Sequence, residues 1–338
     1  QTQQVGCLFL DRTKIVLICF IAAKSVVDGE MTLGMMMAMQ YILGQLNGPI
    51  SQFIGFIQAA QDAKISAERL NEIHDMEDEE PEDKEKIRDI PANADIELKN
   101  VTFQYEGPHS EKVLDEVSLK IPADKVTAIV GVSGSGKTTL LKLLLGFYKP
   151  VSGSITLNNI ALEQYSDSCW RRNCGVVMQE GFIFSDTLEN NIGVVDEIPD
   201  FDRVEHAVKV ANVEDFVESL PLRYNTKIGA DGHGLSTGQK QRLFIARAVY
   251  KNPKYIFFDE ATNSLDANNE KIIMDNMKQF FEGRTVVIVA HRLSTVKNAD
   301  TIVVLKKGKI VEQGTHSELI AVKGAYYNLV KDQLELGN

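Results

Sequence analysis

Basic charge is the first thing in short supply. The 338 residues hold 36 Lys and Arg against 47 Asp and Glu, a net charge of −11. A general nucleic-acid binder needs a basic face to neutralise phosphates, so no nucleic-acid partner is expected. Cysteine is scarce too, with four in the chain. Cys7 and Cys19 lie in apolar surroundings, and Cys169 and Cys174 are spaced CxxxxC without a His or Cys cluster to complete a zinc site. The thiols therefore read as structural groups of a reducing compartment rather than as a disulfide framework. No signal peptide is expected either. The chain begins with Gln1, nothing of that kind precedes its first apolar run, and it reads as a piece of something longer.

Charge of either sign is absent between Glu30 and Asp62, a gap of 31 residues. Within it, "LGMMMAMQYILGQLNGPISQFIGFI" (33–57) exceeds the roughly 20 residues that cross a bilayer as a helix. Gln40, Gln45, Asn47, Ser51 and Gln52 interrupt it. At about 100° per residue, Gln40, Asn47, Ser51 and Gln58 fall near one line on a helix, a polar stripe that on a membrane helix faces protein or water. A buried helix of a soluble protein is the alternative, and Pro49 would kink the helix in either case. The preceding "IVLICFIAA" (15–23) is too short to span. With "KSVVDGE" as a turn, the two stretches predict a helical hairpin whose first member is truncated or unusually polar. "DAKISAERLNEI" (62–73) continues as amphipathic helix, and "HDMEDEEPEDKEK" (74–86) reads as a solvated acidic linker.

At 338 residues, 44% apolar and 25% charged, there is room for about two domains with an ordinary core. The boundaries expected are 1–73, a linker at 74–94, and 95–338. From Asp95 the pattern changes. "DIELKNVTFQY" and "VLDEVSLKI" alternate as strands, "KVTAIVG" (125–131) is a buried strand entering a glycine loop, and strands and helices alternate thereafter. That argues for an α/β domain. "TIVVLKKGKIVEQG" predicts a hairpin, followed by a capping box from Thr315 to Glu318.

"GVSGSGKT" (131–138) satisfies G-x-x-x-x-G-K-[ST] between a strand and a helix. Glycines let the backbone wrap phosphates, with N–H groups and a helix N-terminus aimed at them. Lys137 would meet the β- and γ-phosphates and Thr138 would hold Mg²⁺. "YIFFDE" (255–260) is an apolar strand ending in two acids: Asp259 suits a Mg²⁺ role, and Glu260 would polarise the attacking water as general base. Gln179, after the apolar strand "VVMQ", would sense Mg²⁺ or that water. His291 follows the buried strand in "VVIVAHRLS" and would reach a γ-phosphate from a strand tip. Tyr105 can stack on a base. A second Gly/Ser-rich run, "GLSTGQKQR" (234–242), is surplus to what one nucleotide needs.

Together and in this order, these residues resemble the ATP-binding cassette (ABC) family over residues 95–334. The resemblance implies an α/β P-loop NTPase cassette, with a RecA-like core, an antiparallel β subdomain and an α-helical subdomain, preceded by partial transmembrane helices. It implies ATP and Mg²⁺ as cofactors. Tyr105 becomes the adenine-stacking aromatic, Gly131, Ser133, Gly134, Ser135, Gly136, Lys137, Thr138 and Thr139 the Walker A loop, and Gln179 the Q-loop. Leu235 to Gln239 become the signature, with Ser236, Gly238 and Gln239 as its nucleotide contacts. Asp259 is implied as Walker B, Glu260 as catalytic base, Asp266 in the D-loop and His291 as the switch histidine. In the family two cassettes pair head to tail, each signature closing over the other's nucleotide, which gives the second loop its purpose. Thr237 departs from the usual LSGGQ, a tolerable change where φ need not be positive. Ala230 stands where exporters carry a glutamate, with Asp231 adjacent.

"GEMTLG" and "LNGPISQFIGFIQAAQDAKISAERL" look like the last membrane helix of an ABC exporter entering its cassette. The nearest resemblance is to bacterial peptidase-containing, bacteriocin-processing exporters. The expectation is an exporter half-transporter of the inner (plasma) membrane, cassette on the cytoplasmic side, paired with a second copy and moving a substrate for which peptide is one candidate. The rival readings are a soluble ABC ATPase acting on nucleic acid or ribosomes, and a nucleotide-binding module without turnover. Glu260 and His291 argue against the latter.

Overall fold

The computed structural model describes residues 2–336 apart from 77, 81–84, 108–109, 231, 262–266 and 291–295. The chain divides into two units, residues 1–78 and 79–338. The first is a pair of helices, α1 (Thr2–Val27) and α2 (Leu33–His74). The expected turn "KSVVDGE" is displaced: helix continues through Val27 and the chain turns at 28–32, where Gly29 takes φ 74°. Thr32 caps α2 by accepting the Met35 amide at 3.3 Å, and Gln40 donates to the Cys19 sulfur at 3.5 Å. Pro49 lies within α2, which has no buried residue. Among the described residues no helix is both long and apolar enough to cross a membrane. The 33–57 stretch has the length but is diluted by its glutamines, asparagine and serine.

The second unit is built on two sheets. β1 (Ile96–Phe103), β2 (Leu114–Ile121), β4 (Ser152–Leu157) and β5 (Ile160–Ala161) form an antiparallel sheet in the order β2-β1-β4-β5. β3 (Val126–Val130), β6 (Cys174–Val177), β9 (Tyr255–Asp259), β10 (Thr285–Val289), β11 (Thr301–Lys306) and β12 (Lys309–Gly314) form the other, ordered β12-β11-β3-β10-β9-β6. All pairs are parallel except β11–β12, the predicted hairpin. β9 and β10 are buried at every residue, as strands covered on both faces must be.

Side chains alternate across the sheet, so each strand feeds two cores. Tyr255, Phe257, Val287, Val289, Val303 and Leu305 pack with the antiparallel sheet and α3 (Lys137–Leu144). Ile256, Phe258, Val286, Ile288, Ile302 and Val304 pack on the opposite face. That face holds α6 (Phe201–Val210), α8 (Thr237–Lys251) and α9 (Ala267–Phe281). A small β7–β8 ladder (Asp186–Thr187, Lys227–Ile228) lies beside α5 (Leu188–Ile192) and α7 (Glu214–Ser219). At the end, Thr315 and Glu318 form the expected capping box on α10 (His316–Val322), ahead of α11 (Ala325–Leu336).

The acidic run is not wholly a solvated linker. Glu80 accepts the Ser168 amide at 2.7 Å and the hydroxyls of Ser166 and Ser168 at 3.0 Å, at the start of α4 (Asp167–Asn173). These bonds, the Ser168 amide above all, hold its carboxyl below the usual glutamate range. Glu79 takes the Arg171 guanidinium at 2.8 and 2.5 Å, and Lys86 pairs with Asp167. Ile87 then exchanges backbone bonds with Gln164 and Ser166 at 2.8 Å each. Carboxylates meeting the amides and cation of a helix they flank have partners better than water.

Candidate nucleotide site

β3 delivers residues 131–136 to the start of α3. A Cβ at Gly131 would lie 2.1 Å from the Leu305 carbonyl oxygen, so only glycine lets the loop leave the sheet beside β11. Gly136 takes φ 103° as the residue before α3 and supplies no side-chain cap. The first-turn amides of α3 therefore have no partner of that kind, which suits an anion. Lys137 is buried and folds back over its own loop, donating to the Gly131 and Val132 carbonyls at 2.9 and 3.1 Å. Burial pulls its pKa down, opposed by the Glu260 and Asp259 carboxylates. Among the described residues the buried Ser135 hydroxyl has no hydrogen-bond partner. Ser133 and Gly134 are exposed at the loop tip.

Asp259 ends β9, 1% exposed, and among the described residues neither carboxylate oxygen completes a hydrogen bond. Burial raises its pKa; the nearby Thr138 hydroxyl opposes this, Glu260 adds to it, and Lys137 opposes it. An acid in this state is incomplete, because buried carboxylates normally have partners. A hard divalent cation would complete it, with Asp259, Thr138 and Gln179 as oxygen donors of the kind Mg²⁺ prefers. Glu260 follows in a left-handed conformation, φ 53°, which costs a non-glycine residue about 1 kcal/mol or more. Its amide donates to Val289 O at 3.0 Å, and its carbonyl accepts from Gln241 Nε2 at 3.4 Å. The backbone is thus gripped from β10 on one side and α8 on the other.

The Tyr105 hydroxyl bonds the Thr139 hydroxyl at 2.9 Å, tying the aromatic to the helix that starts at Lys137. Its half-exposed ring stands edge-on to Phe103 and Tyr148, with centroids 5.0 and 5.4 Å away. Gln179 is exposed in the loop after β6.

The second glycine run is differently built. Ser236 is the N-cap of α8: its hydroxyl accepts the Gln239 amide at 3.2 Å, while Gln239 Oε1 accepts the Ser236 amide at 2.8 Å. These groups bond to each other and not to the loop at 131–139. Thr237 is the first residue of α8 and has no positive φ, so the family's glycine is not required there. Gly238 follows within the first turn. Asp231, Asp266 and His291 lie outside the described residues. Gln241, which reaches the Glu260 carbonyl from within α8, carries no signal of that contact in the sequence.

A family model described as "ABC transporter" matches residues 114–263. The chain is 39% identical over 333 residues to the Toxin RTX-I translocation ATP-binding protein of Actinobacillus pleuropneumoniae, covering 98% of this chain and 47% of that one. It is 40% identical over 327 residues to the Exotoxin translocation ATP-binding protein PaxB of Pasteurella aerogenes, covering 96% and 46%. The chain thus spans about half the length of the curated relatives it matches. Among solved structures it is similar to a bacterial Atm1-family ABC exporter with ATP bound, with TM-score 0.77 and 31% identity, over 98% of this chain and 58% of that one.

Proposed function

The chain belongs to the ABC transporter family, exporter type, and from that premise we propose that it couples hydrolysis of Mg·ATP to outward movement of a polypeptide. Two copies would close head to tail around two nucleotides. Lys137, the loop at 131–136 and the first turn of α3 hold the phosphates, and Tyr105 stacks on the adenine. Asp259, Thr138 and Gln179 would hold Mg²⁺, which when bound neutralises phosphate charge. Glu260 takes the proton of the attacking water as its oxygen bonds the γ-phosphorus and the bond to the β-phosphate oxygen breaks. Asp266 and His291 are proposed at the partner contact and the γ-phosphate. Ser236, Gly238 and Gln239 of one copy serve the nucleotide held by the other.

The observation that carries this reading is the buried Asp259, whose two oxygens complete no hydrogen bond among the described residues, close to a lysine whose hydrogen bonds there go to its own loop carbonyls. The polypeptide cargo rests on the relatives' names, which specify toxin translocation, and the polar stripe of α2 suits such a path. Residues 1–73 are proposed as the end of an exporter's membrane region, 74–94 as the connection and 95–338 as the cassette, at the cytoplasmic side of a bacterial inner membrane. Phosphate release from ATP by the purified chain tests the core of it: the proposal expects Mg²⁺-dependent turnover that Lys137→Ala abolishes, and turnover surviving that substitution would refute it.

A further inference from the structure

One half-buried cation has no part in the site above. Arg247, within α8, meets only neutral partners among the described residues. Its Nε donates to Asn191 O at 2.5 Å, Nη2 to Asn191 Oδ1 at 2.8 Å and Nη1 to Phe182 O at 2.6 Å. The guanidinium stands 5.5 and 5.4 Å from the ring centroids of Phe184 and Phe244. Burial with no acid beside it pulls its pKa down to about 10. A cation taken from water without a counter-ion is unfavourable.

What these bonds hold is the loop that begins at Gln179. Asn191 grips the same loop, accepting the Phe184 amide at 2.9 Å and donating to the carbonyls of Phe184, Asp186 and Thr187 at 3.0, 3.3 and 2.9 Å. At the other end, Gly181 approaches α8 so closely that a Cβ would lie 2.6 Å from the Phe244 ring. One guanidinium, one amide and one ring therefore dovetail residues 181–191 onto α8. Three acceptors in a fixed arrangement suit the planar fork of arginine and not the single point of a lysine ammonium.

We propose that Arg247 is a positioning residue that locks the Gln179 loop to the helix beginning at Ser236, so that displacing either moves the other. This rests on the proposed roles of Gln179 toward Mg²⁺ and of Ser236 toward the partner's nucleotide. In the head-to-tail pair those two residues of one chain serve different nucleotides, and Arg247 is the mechanical link between them. It touches neither nucleotide.

The test uses the whole chain and four measurements: phosphate release against ATP, phosphate release against Mg²⁺, nucleotide retained in a Glu260→Gln background, and thermal midpoint. Arg247→Lys keeps stem and charge but loses the fork. It should lower kcat roughly tenfold, the scale of a small misplacement, and raise the Mg²⁺ needed for half-maximal turnover severalfold. The ATP KM, retained nucleotide and thermal midpoint should stay near wild type. Gly181→Ala pushes the loop off Phe244 without touching Arg247 and should shift the Mg²⁺ dependence in the same direction. Adding Phe244→Leu, which vacates the space, should reverse that shift. Unchanged Mg²⁺ dependence in both Arg247→Lys and Gly181→Ala, with turnover either normal or falling only in step with thermal stability, overturns the proposal alone. A wild-type chain without Mg²⁺-dependent turnover overturns the role of Gln179 and this proposal with it.

Discussion

The loop at 131–136 and the run at 234–239 are both Gly/Ser-rich turns that start a helix, yet they leave their polar groups in opposite states. Around the first, the Ser135 hydroxyl and both Asp259 oxygens have no hydrogen-bond partner among the described residues, and Lys137 bonds the carbonyls of its own loop. In the second, Ser236 and Gln239 complete each other in a capping box. Buried unpaired groups are unfavourable until something fills the site, whereas a capped helix start is stable by itself. On the proposed reading the first loop receives a nucleotide and the second is a finished surface offered to the partner's.

That contrast can be broken at several points, the largest effect first. Glu260→Gln should lower turnover by about 10² or more, as loss of a general base does, while ATP is still bound and holds two copies together. Phosphate release beside nucleotide retention measures both halves, and wild-type turnover would remove Glu260 from its role.

Asp259→Asn should sharpen the same contrast in stability. The carboxyl's folded pKa is raised, so its ionised form weakens the ligand-free fold: stability is greatest below the ordinary aspartate range and falls as pH rises through the folded value. The amide removes that penalty. Without ligand, the Asp259→Asn variant should therefore gain on wild type as pH rises from about 4 to 8, while losing the thermal shift produced by Mg·ATP. Melting curves across that range decide it; a variant less stable at every pH would show that Asp259 is already satisfied.

At the capped loop the order reverses. Ser236→Ala should cost about 1 kcal/mol of ligand-free stability through the lost cap, an effect with no counterpart at Ser135, whose hydroxyl has no hydrogen-bond partner among the described residues. Chemical denaturation of the two alanine variants makes the comparison. Thr237→Gly is the smallest change: glycine at an exposed first helical position should cost about 1 kcal/mol or less in stability and alter turnover by less than tenfold. A deeper loss would give the threonine a role that its place at the start of α8 does not.

Much of the proposed site is legible because its chemistry is local in sequence. Strand, glycines and lysine stand within "VTAIVGVSGSGKT", and Asp259 and Glu260 end one buried strand. What was hidden depends on contacts across long separations. Arg247 bonds residues 56 and 65 positions away, and Gln241 reaches Glu260 through the fold. Glu79 and Glu80 read as solvated charge because the amides and arginine that receive them lie about 90 residues on. The hairpin turn was misplaced because Lys24 and Ser25 carry no helix-stopping geometry, while Gly29 does.

If the capped loop of one chain completes the nucleotide site of another, mixed dimers will show it. Each dimer carries one Lys137→Ala and one Ser236→Arg in a Glu260→Gln background, and trapped nucleotide per dimer is counted. With the two changes on opposite chains both defects fall in one composite site, and about one nucleotide should be trapped; on the same chain each site is damaged, and close to none should be. Equal trapping in the two arrangements, or the reverse order, would contradict it.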